Sequence, residues 1–99
     1  MIQASTSENT NKDFIESELA NLDIKIYPNP TKGILEVEIP NIGETKPMLI
    51  IFNSQGKQIL IHPISNQTST VNLSDQPPGT YILKLILDQE SLNWKIIKD

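Results

Sequence analysis

The sequence contains no cysteine and no arginine, and it has one histidine among its 99 residues. Without cysteine the chain has no disulfide framework, no thiolate nucleophile and no cysteine-based zinc site. Its eight basic residues are all lysines, and twelve acidic residues outnumber them, which gives a net charge of −4. This balance argues against a surface that binds the phosphates of nucleic acid.

The sequence also lacks long apolar runs, and aromatic residues make up only 5% of it. No run approaches the ~20 apolar residues that a membrane-spanning helix needs, and residues 1–20 lack the basic-then-apolar order of a signal peptide. A chain of this length buries about 60 to 65% of the surface that it exposes when unfolded, which leaves a thin core. We therefore expect one small domain without a transmembrane segment and without a large catalytic cavity.

Candidate catalytic residues are few. His62 precedes a proline in a strand-like stretch, and no nucleophile or acid stands at a fixed spacing from it. Glu36 and Glu38 share one face of a predicted strand, but two carboxylates without a third acid nearby are weak grounds for a metal site. We predict no catalytic residue, no metal site and no cofactor, and hence a protein that is not an enzyme.

A proline corner, Tyr27-Pro28-Asn29-Pro30 with Gly33 behind it, divides the chain. Each proline removes a backbone donor and fixes φ, so neither a helix nor a central strand continues through the corner. The chain before it is polar and acidic, and the chain after it is apolar and periodic. We predict that residues 1–22 form a largely disordered linker and that residues 23–99 form the folded domain.

Within the linker an apolar stripe suggests a short helix. Ile15, Leu19 and Leu22 are spaced by four and then three residues, and Asp13 stands where an N-cap residue would stand. Three apolar residues over two turns are marginal for an isolated helix in water. The stripe therefore indicates either a transient helix in the linker or a helix that docks on a neighbouring molecule.

From residue 23 onward, short apolar runs alternate with turn residues, which is typical of an all-β sandwich. The clearest run has Leu35, Val37 and Ile39 alternating with two glutamates, the pattern of a half-buried strand. We predict that Tyr81 lies in the core, and that Trp94 either lies there too or is an exposed anchor for a partner. The predicted strands of this antiparallel β-sandwich are 23–27, 34–39, 48–52, 57–64, 69–73, 80–87 and 92–98.

Four blocks of the sequence follow one another along the chain: the proline corner with Gly33, then Asn53-Ser54-Gln55-Gly56-Lys57, then Pro78-Gly79-Thr80-Tyr81-Ile82-Leu83-Lys84, and finally Lys95-Ile96-Ile97-Lys98. In this order they resemble the type A C-terminal sorting domain of the type IX (Por) secretion system of Bacteroidetes. The resemblance covers about residues 23–99 and implies an immunoglobulin-like antiparallel β-sandwich of about seven strands. It also implies a non-catalytic secretion signal.

The resemblance implies partners and a route as well as a fold. A passenger protein would precede the domain, type IX translocon and shuttle components would bind it, and a sortase-like peptidase would remove it at the surface. The domain would pass through the periplasm to the outer-membrane surface or the medium. The candidate recognition residues are Tyr27, Pro28, Asn29, Pro30, Gly33, Gly56, Lys57, Gly79, Tyr81, Lys95, Ile96, Ile97 and Lys98.

Two interpretations stay open from the sequence. Lys95 and Lys98 are either solvated strand charges or part of the feature that a partner recognises. The whole domain, in turn, is either a sorting signal or a generic immunoglobulin-like adhesion or carbohydrate-binding module, whose specificity would reside in its loops.

Overall fold

A computed structural model describes residues 15–99 of the chain. Within these residues the backbone forms eight strands, seven of which overlap the predicted runs. The strands are β1 (Ile15–Leu19), β2 (Leu22–Tyr27), β3 (Ile34–Glu38), β4 (Met48–Phe52), β5 (Gln58–Pro63), β6 (Thr68–Asn72), β7 (Gly79–Leu87) and β8 (Glu90–Lys98).

The strands form two four-stranded antiparallel sheets. Sheet I has the order β1-β2-β3-β6, and sheet II has the order β5-β4-β7-β8. Pro63 ends β5 at an edge of sheet II, where a missing N–H costs no ladder hydrogen bond, as its sequence position predicted. The predicted all-β antiparallel architecture is confirmed.

Alternation along each strand builds the core between the sheets. In β3, Leu35 and Val37 are fully buried, whereas Glu36 and Glu38 are half-buried on the outer side. Tyr81 and Trp94 are 3% and 1% exposed, so the predicted core position of Tyr81 is confirmed and Trp94 is not an exposed anchor. The largest fully buried side chains come from both sheets and their loops: Trp94, Ile26, Leu35, Ile39, Leu49, Ile51, Ile64, Leu73, Leu83, Leu85, Ile96 and Val37.

The short helix predicted across Ile15, Leu19 and Leu22 is wrong. Residues 15–19 form β1, which pairs with β2 in a hairpin, and Leu19 faces Leu22 across the turn. Ala20 and Asn21 have φ values of 51° and 68°, the left-handed pair that a tight two-residue hairpin turn requires. Pairing with β2 and burial of both leucines outweigh the weak helical stripe.

The structure describes only part of the predicted linker, residues 1–22. β1 lies inside the segment that we assigned to the linker, whereas residues 1–14, with the predicted cap Asp13, lie outside the described residues. The division of the chain at residue 23 therefore stays a prediction.

Candidate functional site

The proline corner lies against the outer edge of β8. Both X-Pro bonds of the corner, Tyr27-Pro28 and Asn29-Pro30, are cis. Just after them, Thr31 forms a parallel bridge with Lys98. The Thr31 N–H donates to the Ile97 carbonyl oxygen at 2.8 Å, and the Asp99 N–H donates to the Thr31 carbonyl oxygen at 2.8 Å.

The side chain of Asn29 continues this pairing along β8. Its Nδ2 donates to the Lys95 carbonyl oxygen at 3.2 Å, and its Oδ1 accepts from the Ile97 N–H at 3.0 Å. A carboxamide carries the same donor and acceptor as a peptide group. Because the prolines on either side have no N–H to donate, the Asn29 side chain supplies the pairing that a neighbouring strand would otherwise provide.

This pairing closes part of an exposed sheet edge. β8 is an edge strand of sheet II, and the backbone groups of Ile97 that bond the corner point away from β7. Unpaired edge groups are a template for unwanted strand addition, and proteins protect them by covering the edge. Here the corner covers the edge between Lys95 and Asp99, so the corner and the last strand form one structural unit.

The chain leaves the corner through Thr31 and Gly33. The Thr31 side chain is 1% exposed, and its Oγ1 donates to the Ile34 carbonyl oxygen at 2.6 Å and accepts from the Gly33 N–H at 3.0 Å. Gly33 has a φ of +141°, and a Cβ there would lie 3.0 Å from the Ser74 Cα. The backbone conformation and this close approach together require glycine.

Gly56 and Lys57 belong to the turn between β4 and β5. The Gly56 N–H donates to the Asn53 carbonyl oxygen, and the Lys57 N–H donates to the Asn53 Oδ1, both at 2.9 Å. The antiparallel order places this turn at the end of sheet II where β7 begins and β8 ends. Within residues 15–99, however, no hydrogen bond joins the turn to the proline corner.

Gly79 and Tyr81 lie on β7 opposite the last residues of β8. Gly79 pairs with Lys98, and Tyr81 pairs with Ile96. The Tyr81 hydroxyl donates to the Pro77 carbonyl oxygen, which ties the loop before β7 to the core. These two residues of β7 therefore pair with one edge of the terminal strand β8, whereas the proline corner pairs with its other edge.

The side chains of the terminal strand alternate in exposure. Lys95 is exposed, Ile96 is fully buried, Ile97 is half-buried and Lys98 is 8% exposed. The Lys95 side chain thus faces solvent, whereas Lys98 shares the inward parity of Ile96. Whether a partner recognises either lysine stays a prediction.

Sequence reasoning missed the role of Thr31 and the pairing made by the Asn29 side chain. The position of Asn29 between two prolines was the available signal, since both neighbours lack an N–H. The partner strand lies 66 to 68 residues away in the sequence, and no local pattern identifies it.

The first corner residue, Tyr27, is coupled to the outer face of sheet I. Its hydroxyl donates to the Glu38 Oε2. This hydrogen bond is the main cause that raises the pKa of Tyr27 above its ordinary value of 10.0, and burial and the charges of Glu38 and Glu36 act in the same direction. The phenol therefore keeps its proton in the folded protein at a pH where the unfolded chain begins to lose it.

This coupling predicts a pH dependence of stability. The contribution of the raised pKa is fully present below pH 10.0 and is lost as the pH rises through the raised value, because only the unfolded chain releases the proton in that window. We expect urea unfolding to show a steeper loss of stability above pH 10.0 for the natural sequence than for Tyr27→Phe. Equal slopes for the two proteins would contradict the coupling. As a control, Glu38→Gln should lower the pKa of Tyr27 in a spectrophotometric titration.

The described part of the chain offers little else for chemistry. In residues 15–99, no three His, Asp or Glu side chains lie together as metal ligands would. None of the described elements is a helix with the length and hydropathy needed to span a bilayer.

Comparison with known proteins agrees with this geometry. The fold is similar to that of a DUF3244 family protein with an immunoglobulin-like β-sandwich fold from Bacteroides vulgatus. The two share 14% sequence identity with a TM-score of 0.68, over 87% of this chain and 99% of the other. At this identity the similarity shows the fold alone, and it confirms the predicted immunoglobulin-like sandwich.

Sequence comparison identifies the family. No curated protein matches the chain. The family model described as the secretion system C-terminal sorting domain matches residues 25–99, which include the proline corner and the whole of β8. The chain therefore belongs to the family of C-terminal sorting domains of type IX secretion.

Proposed function

We propose that this domain carries a passenger protein across the outer membrane through the type IX translocon and is then cleaved off at the cell surface. Membership of the sorting-domain family supports a role as a type IX sorting signal, an interaction with the secretion machinery and export toward the surface. We propose three kinds of partner for the domain: a passenger protein, the translocon and shuttle components, and a sortase-like peptidase.

The union of the corner with β8 supports this proposal most directly. Two blocks on which the family resemblance rests, 66 to 68 residues apart, meet in one hydrogen-bonded unit. A partner that binds this unit would distinguish a folded domain from an unfolded one. The unit forms only when the sandwich folds and brings the corner against β8. Recognition of this unit would couple export of the passenger to correct folding of the domain.

We propose further that the domain acts by binding and not by catalysis. The His62 Nδ1 lies 2.9 Å from the carbonyl oxygen of the adjacent Pro63, which is a local contact without a nucleophile.

The alternative, an adhesion or carbohydrate-binding module, would show loop-dependent binding on a glycan array.

Export of a fusion protein tests the sorting function. We expect a reporter with its own signal peptide, fused in front of the full chain, to reach the medium or the surface of a type IX-competent Bacteroidetes strain. In a matched strain without the translocon it should stay in the periplasm, because the signal peptide alone reaches only that compartment. Equal amounts of external reporter in the two strains would contradict the proposal.

The same fusion tests removal of the domain. We expect the external reporter to be smaller than the periplasmic reporter by at least the mass of the folded domain; cleavage directly ahead of residue 1 would remove the mass of the whole chain, 11.1 kDa. An external reporter that keeps its full mass, measured by mass spectrometry, would contradict cleavage while leaving the export step intact.

A further inference from the structure

The two central strands of sheet II, β4 and β7, are mostly apolar on the outer face, where an antiparallel sheet of a sandwich usually presents polar side chains. In β4, Leu49 and Ile51 point into the core, so that the alternate residues point outward, and β7 follows the same rule with Leu83 and Leu85 inside. The outward residues of these two central strands are half-buried: Met48, Ile50, Phe52, Thr80, Ile82, Lys84 and Ile86.

The strand register joins these residues into one surface. Ile50 lies opposite Lys84 of β7 on one side and opposite Ile61 of β5 on the other. Ile61 is 50% exposed, which makes it one of two large apolar side chains that stand out from the described surface. We name as the sheet II face the surface formed by Met48, Ile50, Phe52, Ile61, Ile82, Lys84 and Ile86.

The charge on this face has one sign. Lys84 lies between Ile82 and Ile86 on its own strand, with Ile50 of β4 on one side and the exposed Asn93 of β8 on the other. Lys95 lies opposite Ile82 on β8. No acidic residue occupies an outward position in the four described strands of sheet II. The outer face of sheet I differs, since it carries Lys25 with the acidic residues Glu18, Asp23, Glu36 and Glu38.

We propose that the sheet II face is the docking surface for a protein of the secretion machinery that presents apolar side chains beside a carboxylate. The inference rests on the proposed function and names a surface for it. Contiguous apolar area of this kind marks interaction sites on soluble proteins. An apolar partner would remove Lys84 from water, and such a charge is tolerated only when the partner supplies an opposite charge.

Two other occupants fit the charges less well. A second copy related by two-fold symmetry would bring the lysines of both faces together without an acid. A lipid surface that covered Ile82 and Ile86 would press Lys84 between them against acyl chains, whereas basic residues that bind anionic lipids stand at the headgroup level. A protein surface with a carboxylate would pair with Lys84 and cover the apolar residues beside it.

Charge reversal in the full-chain fusion tests the proposal. We expect Lys84→Glu to lower the exported fraction on the order of tenfold, because two carboxylates would then face each other across the interface. Lys84→Arg keeps the charge and should keep export. Ile50→Thr keeps a β-branched residue but removes apolar area, and it should lower export several-fold.

The control reverses a charge on the opposite side of the sandwich. Glu36→Lys on the outer face of sheet I should be exported like the natural sequence. Urea unfolding of each purified full chain establishes that the variants fold. If the natural fusion is exported and Lys84→Glu is exported equally well, the docking face is wrong and the sorting function stands. If the natural fusion stays in the periplasm, the sorting function fails and the docking face falls with it.

Two measurements on the purified full chain distinguish the other occupants. Cosedimentation with phosphatidylglycerol vesicles that Ile50→Thr abolishes would assign the face to lipid and overturn the proposal. A dimer that Ile50→Thr dissociates, measured by sedimentation equilibrium, would assign it to a second copy and overturn it equally. A monomer that ignores vesicles while Lys84→Glu loses export supports a protein partner.

Discussion

Deletion of residues 95–99 is expected to abolish the cooperative fold of the domain. The deletion removes the fully buried Ile96, the largely buried Lys98 and the pairing of β8 with the first residues of β7. Burial of one such isoleucine is worth about 1.5 to 3 kcal/mol, and each lost hydrogen bond adds roughly 1 kcal/mol. Together with the orphaned corner these losses approach the ~5 to 15 kcal/mol by which a domain is stable.

The single tryptophan provides the measurement. Trp94 is 1% exposed, so its fluorescence should shift toward that of a solvated indole when the deletion variant is compared with the full chain. The matched control removes residues 1–5, which shortens the chain equally and leaves every described contact in place. A deletion variant that keeps a buried tryptophan and unfolds cooperatively in urea would contradict this prediction.

Local pattern was sufficient to predict the sandwich strands from residue 23 onward. Period-two alternation has a direct physical cause, since successive side chains of a strand point to opposite faces. In β6, for example, Val71 points into the core between exposed neighbours, and Leu73 directly after the strand is also buried, as predicted. Turn residues then separated one run from the next.

The same local pattern was misleading at β1. Ile15, Leu19 and Leu22 carry a helical spacing, but two of them meet instead as a pair across a hairpin turn. A short apolar run has no strong preference of its own, and β2 decides its conformation by offering a strand to pair with. Sequence reasoning had no access to that pairing.

The continuous apolar run of β4 shows a second limit. It correctly predicted a strand in the middle of a sheet, because β4 lies between β5 and β7. Yet such a run is typical of a strand covered on both faces, and here the outward residues Met48, Ile50 and Phe52 are only half-buried. That mismatch between sequence pattern and burial became visible only when the register placed Ile50 beside Ile61 and Lys84.

Contacts over long sequence separation account for the candidate site. The corner was predicted as a fixed turn from its prolines alone, and the structure places it between β2 and β3. Its contact with β8 depends on the closure of both sheets, since Asn29 and Ile97 belong to segments at opposite ends of the domain. The Asn29 side chain is the part of that contact that a single substitution can remove.

Asn29→Ala is expected to destabilise the domain by about 1 to 3 kcal/mol, since it removes two hydrogen bonds and leaves the part-buried Ile97 N–H without its acceptor. Asn29→Asp keeps the acceptor for Ile97 but replaces the donor to the Lys95 carbonyl by a second oxygen. At neutral pH, Asn29→Asp should therefore destabilise the domain at least as much as Asn29→Ala. Urea unfolding monitored by tryptophan fluorescence measures both.

The pH dependence of Asn29→Asp distinguishes loss of the hydrogen-bond donor to Lys95 from a change in the shape of the side chain. Once protonated, the introduced carboxyl can donate to the Lys95 carbonyl oxygen, which favours the protonated form, whereas the Ile97 N–H can bond either form. We therefore expect its pKa to lie above the ordinary value of about 3.9. The stability difference from the natural sequence should then narrow as the pH falls through that raised pKa. Asn66→Asp in an exposed loop makes the same chemical change and should show no such narrowing. If Asn29→Asp is as stable as the natural sequence at neutral pH, the amide does not pair with β8, and the corner is held by the Thr31 backbone alone.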